Sequence, residues 1–395
     1  MRISTATFQR DAVSQMDSLQ AAIAKTQQQL STGLKLQTAA DDPTGMAQVN
    51  QMNVEISAST QYVTNGNAAS TNLKLEEQAL SDATNTMQNA RDLAVQANNS
   101  SLSASQRSDI AAQLQQDLQS LVAIGNRTDS NGNYLFGGYA NGSQPFAQSG
   151  NTVTYSGATG VSQVQIGANQ SISSGDTGAT AFMNIVAGNG TFTTAAAAGN
   201  TGSASIGTGT VTSPSSWVPD TYTISFTSPT QYQVTNSGGT VVTSGAFKDG
   251  DTIAFNGAQM TVSGTPATGD QFTVAPAGTS SAFNTLSNLI TTLSDPTLST
   301  AQITTQVSAA VQQIDSAVTN FSNVSASAGA RINAITSSQS TATSVQTTLT
   351  ANISSLASTD YAAATTQLST QELSLQAAQQ SYASIAKLSL FQFLP

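Results

Sequence analysis

Two kinds of apolar spacing divide the chain. Near its start, Ala12, Met16, Leu19, Ile23, Thr26 and Leu30 follow one another at intervals of 4, 3, 4, 3 and 4. That is the alternation of a helix that packs through one narrow seam. Near its end, Tyr361, Leu368, Leu375 and Tyr382 recur every seven residues, with Ala364, Gln371, Ala378 and Ile385 at the alternate positions. Further stripes predict helices between these two. Leu73, Leu80, Met87 and Ala94 repeat at seven, with Ala83, Ala90 and Ala97 between them. Ile110, Leu114, Leu118, Leu121 and Ile124 form another stripe. Ile303, Val307, Val311, Ile314, Val318 and Phe321 form a third, and Val345, Leu349, Ile353 and Leu356 a fourth.

In the middle the period shortens to two. Tyr222, Ile224 and Phe226 alternate with polar residues, as do Tyr232 and Val234, Ile253 and Phe255, Met260 and Val262, and Phe272 and Val274. Turn signals separate these runs: "NSGG" at 236–239, "KDG" at 248–250, Asn256-Gly257 and Gly269-Asp270. Alternation punctuated in this way predicts antiparallel hairpins. Residues 187–216 hold few large apolar side chains, which predicts loop. The predicted fold is α+β: a long α-helical coiled-coil rod built from both chain ends, carrying an inserted β-rich domain. Three parts follow. Residues 1–33 with 360–395 form a terminal helical coiled-coil module, 34–133 with 281–359 a helical rod domain, and 134–280 the β-rich outer domain. The first and last helices, each about 28 residues and about 42 Å long, are expected to pair antiparallel.

Breaks in the pattern mark where helices stop. Gly33 ends the first stripe, as a left-handed residue does after a helix. Asp42 stands before Pro43, and Asp as N-cap ahead of Pro is a favoured helix start. Asp41 and Asp42 are adjacent and share no helical face, so a catalytic carboxylate pair is a poor reading of them. A matching break lies at Ser358-Thr359-Asp360, with Asp360 before Tyr361. The terminal module between these breaks and the chain ends is weak alone, because its seams carry Thr26, Gln371 and several Ala. Two such helices are marginal in water. Stacked on copies of themselves, they gain burial. The expected assembly interface is therefore Met16, Leu19, Ile23 and Leu30 with Leu368, Leu375, Tyr382, Ile385, Phe391 and Phe393, and the expected caps and hinges are Gly33, Asp42, Pro43 and Asp360.

Composition narrows the chemistry. Charged residues make up 8% of the chain, and Cys and His are absent. Thiolate and imidazole catalysis and most zinc, copper and haem sites fall away with them. A nucleophilic Ser would need a base other than His, and no Ser-x-x-Lys follows a strand. No catalytic, cofactor or metal site is expected. Between Thr128 and Ala330, eight Asp face one Lys, which opposes nucleic-acid binding. Asp249-Gly250-Asp251 lacks the later ligands of a calcium loop and reads as a turn. No apolar run reaches the length of a membrane span, and no cleavable secretory signal opens the chain. Tyr222, Phe226 and Tyr232 could form a sugar-stacking face or simply a core.

Several stretches carry a family resemblance. "QQLSTGLKLQTAADDPTG" at 28–45 resembles the N-terminal signature of the flagellins and flagellin-like hook-associated proteins. "MRIST" at the start, "NGNYLFGGYANGSQPF" at 131–146 and the ending "LSLFQFLP" are similar to the hook-associated protein 3 branch, which forms the hook–filament junction, more than to filament flagellin. "YTISFTSPTQYQVTNSGGTVV" at 222–242, "SGTPATGDQFTVAP" at 263–276, "GARINAI" at 329–335 and the helix from Asp360 resemble the same branch. The resemblance implies a non-enzymatic structural protein, exported without a cleaved signal and placed extracellularly on the bacterial flagellum. It implies self-assembly into a ring, contact with an upstream hook-associated protein and with flagellin, and a cytoplasmic export chaperone on the C-terminal helix. Filament flagellin is the alternative within the family, and a glycan-binding adhesin module on the β insert the alternative outside it.

Overall fold

The computed structural model describes the backbone of residues 5–391 and the side chains of 7–384. The chain divides into two compact units, residues 1–63 with 339–395 and residues 64–338. The architecture is the α+β one, with helices from both chain ends and a β-rich insert.

Helix α1 spans Thr5–Thr32, α2 Pro43–Ala97 and α3 Ala104–Gly125. The start of α3 is fixed by a capping box, in which the Ser103 hydroxyl accepts from the Gln106 N–H and the Gln106 side chain accepts from the Ser103 N–H. Two hairpins follow, β1 (Phe146–Ser149) with β2 (Thr152–Tyr155) and β3 (Gln163–Gly167) with β4 (Gln170–Ser173). Next come β5 (Ile185–Val186), β6 (Phe192–Ala196), β7 (Ser205–Ile206) and β8 (Thr210–Val211). The longer strands are β9 (Tyr222–Ser228), β10 (Gln231–Thr235), β11 (Val241–Ala246), β12 (Thr252–Phe255), β13 (Ala258–Ser263) and β14 (Gln271–Pro276). After β15 (Thr279–Ser280) the chain returns through α4 (Ala282–Ser294), α5 (Thr300–Ala357) and α6 (Tyr361–Phe391).

Residues 64–338 hold the main cores. Leu80, Met87 and Ala94 of α2 are buried in one core with Ile110, Leu114, Leu118 and Leu121 of α3. A knot of aromatic rings completes this core. Phe182 lies 5.0 Å from Phe136, 5.6 Å from Phe283 and 5.1 Å from Phe321, centroid to centroid. Phe136 and Phe146, from the segment 131–146 that leads into the β-rich insert, belong to this core. The β3–β4 hairpin packs Ile166 with Ala69, Leu73, Ala328 and Ile335 in a separate cluster.

Strands β6 to β14 make one lobe of two sheets. One has the order β11-β10-β9-β14-β6, antiparallel throughout, and the other β12-β13-β7 with β8 also on β13. Both supply one core, with Ile224, Phe226, Val234 and Phe272 from the first sheet and Ile253, Met260, Val262 and Ile206 from the second. The β12–β13 hairpin turns at Asn256 (φ 46°) and Gly257 (φ 76°), the pair of positive φ values that an Asn-Gly turn of type I′ requires.

The loop expectation for 187–216 needs correction, because β6, β7 and β8 lie within it. Thr and Ala there pair through their backbones, and single buried anchors, Phe192 and Ile206, replace the alternation that marks longer strands. The sugar-stacking option for Tyr222 and Phe226 also falls, since both rings are buried in the lobe's core. Asp249-Gly250-Asp251 forms a turn in which the Asp251 carboxylate accepts from the Lys248 N–H at 2.8 Å and Asp249 from the Gly264 N–H at 2.6 Å.

Candidate assembly site

The site is built by α1 and α6, which pack against each other within the unit of residues 1–63 and 339–395. They run antiparallel: Thr26 meets Gln371, and the C-terminal end of α1 meets the start of α6. On α1, Met16, Leu19, Ile23 and Leu30 are half-buried, and so are Leu368, Leu375 and Tyr382 on α6. Among the described seam positions, Thr26 and Ala364 are the buried ones. The large apolar side chains thus remain partly open, and the closed centre is polar. The Thr26 hydroxyl lies 3.0 Å from both the Ala22 carbonyl and the Gln371 Oε1. An open trough of about 590 Å³ runs along α6 from Ala362 through Thr366 and Thr370 to Ser374, with Leu19 of α1 also in its wall. Phe8, Val13 and Leu373 are exposed outside the pair's contact.

Not every expected member sits in the seam. Tyr361 is exposed at 57% and belongs to the hinge, where its hydroxyl lies against Gly33. It occupies the first helical position, before the helix has settled into contact. The side chains of Ile385 and Phe391, and Phe393 entirely, lie outside the described residues.

The two breaks are stitched to each other. Gly33 has φ +71°, a conformation a side chain resists, and its N–H donates to the Gln29 carbonyl at 2.9 Å. The Thr359 N–H donates to the Gly33 carbonyl at 2.9 Å, the Lys35 N–H to that of Ala357 at 2.8 Å, and Leu34 bridges Ser358. Asp360 accepts from the N–H groups of Ala362 and Ala363 at 2.9 and 3.1 Å, the geometry of an N-cap. Asp42 caps α2 in the same way: its side chain accepts from the Thr44 N–H at 3.0 Å, its carbonyl from the Met46 N–H at 2.9 Å, and Pro43 takes the first helical position. Leu36, Val49 and Ala357 are buried together beneath this junction.

Asp41 has a different task. Its carboxylate accepts from the Lys25 ammonium at 2.7 Å and from the backbone N–H groups of Gln37 and Thr38 at 3.1 and 3.0 Å. The Lys25 bond, then those to Thr38 and Gln37, hold the carboxyl well below the usual carboxylate range. Spacing along the chain carried no sign of this tie between α1 and the 33–42 loop.

Comparisons with known proteins find flagellar relatives. Residues 3–141 match the bacterial flagellin N-terminal helical region, and residues 195–276 a D2-like domain of flagellar hook-associated protein 1. The flagellar hook-associated protein 3 of Salmonella typhimurium is 32% identical over 185 residues, 47% of this chain and 58% of that protein. The chain therefore spans little more than half the length of that curated relative. Crystal structures extend the likeness. FlgL of Xanthomonas campestris is 33% identical over 75% of this chain and 98% of that one, with a TM-score of 0.69. The flagellar junction protein FlgL of Legionella pneumophila is 30% identical over 78% and 99%, with a TM-score of 0.70. Among the described residues, no helix is long and apolar enough to cross a membrane. At 30–33% identity over 98–99% of these solved structures, the chain belongs to the flagellar hook-associated protein 3 (FlgL) family.

Proposed function

We propose that this chain is a structural junction protein of the bacterial flagellum, assembling between a hook-associated ring and the filament by packing of its terminal helices, without catalysis. The observation that carries the reading is the unfinished seam. Leu19, Ile23, Leu30, Leu368 and Leu375 line up along α1 and α6 yet stay half-buried. Burying apolar surface contributes roughly 25 cal/mol per Å², so neighbouring copies have a ready driving force for covering it. The relative from Legionella pneumophila is itself described as a flagellar junction protein.

In this reading the terminal module, 1–33 with 360–395, forms the inner contacts. The helical rod, 34–133 with 281–359, carries load and sets register, and the β-rich insert, 134–280, faces outward. Its partners are further copies in a ring, an upstream hook-associated protein and flagellin, with an export chaperone holding the C-terminal helix before export. Its location is extracellular. Leu375→Asp tests the seam: a charge there should block incorporation and filament growth while the 64–338 unit keeps its native circular dichroism. Filament growth undiminished in cells carrying that variant would remove Leu375 and its seam from the interface.

A further inference from the structure

Glu76 is the most deeply buried carboxylate among the described residues, at 1% exposed on the inner face of α2. Its Oε2 accepts from the Asp176 N–H at 3.2 Å, and its Oε1 has no hydrogen-bond partner. The Asp176 side chain stands beside it, on the segment after β4, and is bonded to the Arg331 guanidinium of α5. Arg331 also donates to the Ser173 and Gly175 carbonyls at 3.4 and 3.0 Å. A polar cavity of about 90 Å³ adjoins the cluster, with Asn72, Asp129, Tyr134 and Asn141 among its walls. Asp129 is already occupied, accepting from the N–H groups of Asn131 and Asn133 at 2.8 and 2.9 Å. The charged groups meeting Glu76 are thus Asp176 and, beyond it, Arg331, with Asp129 across the cavity.

An ionised Glu76 would leave one buried oxygen without a donor, next to a second carboxylate whose single cation is already engaged. Burying such a charge without a partner is strongly unfavourable. A proton removes the conflict. We infer that Glu76 is a buried proton-binding site, and that in its neutral form it clasps α2 and α5 to the 173–178 segment. Losing that proton to solvent sets two carboxylates against one guanidinium and loosens the segment. Burial first, and then the Asp176 charge, push the Glu76 carboxyl well above the ordinary range. A raised acid binds more protons folded than unfolded. Its stabilising effect is complete below the unfolded value of about 4.3 and fades as pH rises toward the folded value, by up to about tenfold in the folding equilibrium per pH unit.

The experiment is urea unfolding of the full chain from pH 5 to 9, comparing the unaltered protein with Glu76→Gln and with Glu77→Gln as the neighbouring control. The unaltered chain and Glu77→Gln should lose stability as pH rises, with amide protection over 173–178 falling in parallel, and Glu76→Gln should lack that slope. Equal slopes in all three would overturn the inference. Should Glu76→Gln fail to fold, infrared spectroscopy of the unaltered chain decides. A protonated-carboxyl band at neutral pH supports the site, and its absence overturns it. Stabilisation by calcium chloride over EDTA that disappears in Glu76→Gln would place a metal cation there instead and likewise overturn it.

Discussion

The terminal helices and the α3–α4 region are built on similar apolar intervals and end in opposite conditions. In α3, Ile110, Leu114, Leu118 and Leu121 are buried. In α4, Phe283, Leu286, Leu289 and Leu293 are buried too, and four further phenylalanine rings share their core. In α1 and α6 the equivalent stripe is half-buried and its closed centre is the Thr26–Gln371 contact. Spacing identifies the face a helix turns inward. Side-chain volume, and the presence of other elements to cover that face, decide whether the chain can finish the core alone.

Substitutions can break or sharpen this contrast. The largest effect is expected from Phe182→Ala, which opens a hole among four rings and should cost about 3–5 kcal/mol in urea unfolding of the 64–338 unit. A cost under 1 kcal/mol would mean that the aromatic knot is not the centre of stability. Gly33→Ala comes next. It forces a side chain into positive φ and brings the new methyl 2.9 Å from the Tyr361 hydroxyl, and should cost about 1–2 kcal/mol in the terminal unit. Leu375→Ala should cost the dilute monomer under about 1 kcal/mol, because that side chain is only half-buried, while assembly assayed by sedimentation falls sharply. A monomer loss as large as that of Phe182→Ala would erase the distinction between the two regions. The smallest effect is that of Asp41→Asn. Because the Asp41 carboxyl is held low, its tie to Lys25 is complete above the unfolded value of about 3.9 and weakens as pH falls toward the folded one. Protection of the Gln37 and Thr38 amides, relative to an unstructured chain at the same pH, should therefore fall in acid in the unaltered chain and be low throughout in the variant.

Much of the fold was legible, and for specific reasons. Leu73, Leu80, Met87 and Ala94 stand at seven-residue intervals because α2 keeps one face inward for several turns. Asn256-Gly257 announced its hairpin because few other residue pairs accept two positive φ values. The short strands β6 and β7 escaped because pairing needs backbone alone, and Thr and Ala leave no alternation to read. Within the candidate site, the positions on α1 and α6 were legible from spacing, but the exposed place of Tyr361 was not. The ties made by charged residues were hidden by distance along the chain. Glu76, Asp176 and Arg331 come from three separate segments. Arg331 and Asp315 are the two charged residues in the whole of α5, and an isolated Arg in so neutral a helix was the one hint of a buried partner.

The claim at the centre is that α1 and α6 depend on neighbouring molecules for their burial. Hydrogen exchange of the dilute monomer and of the assembled protein measures this directly. Amides over 7–32 and 361–384 should exchange far faster in the monomer than those over 110–124 and 282–294, and should slow to comparable rates on assembly. Equal protection of both regions in the monomer, unchanged by assembly, would contradict the account.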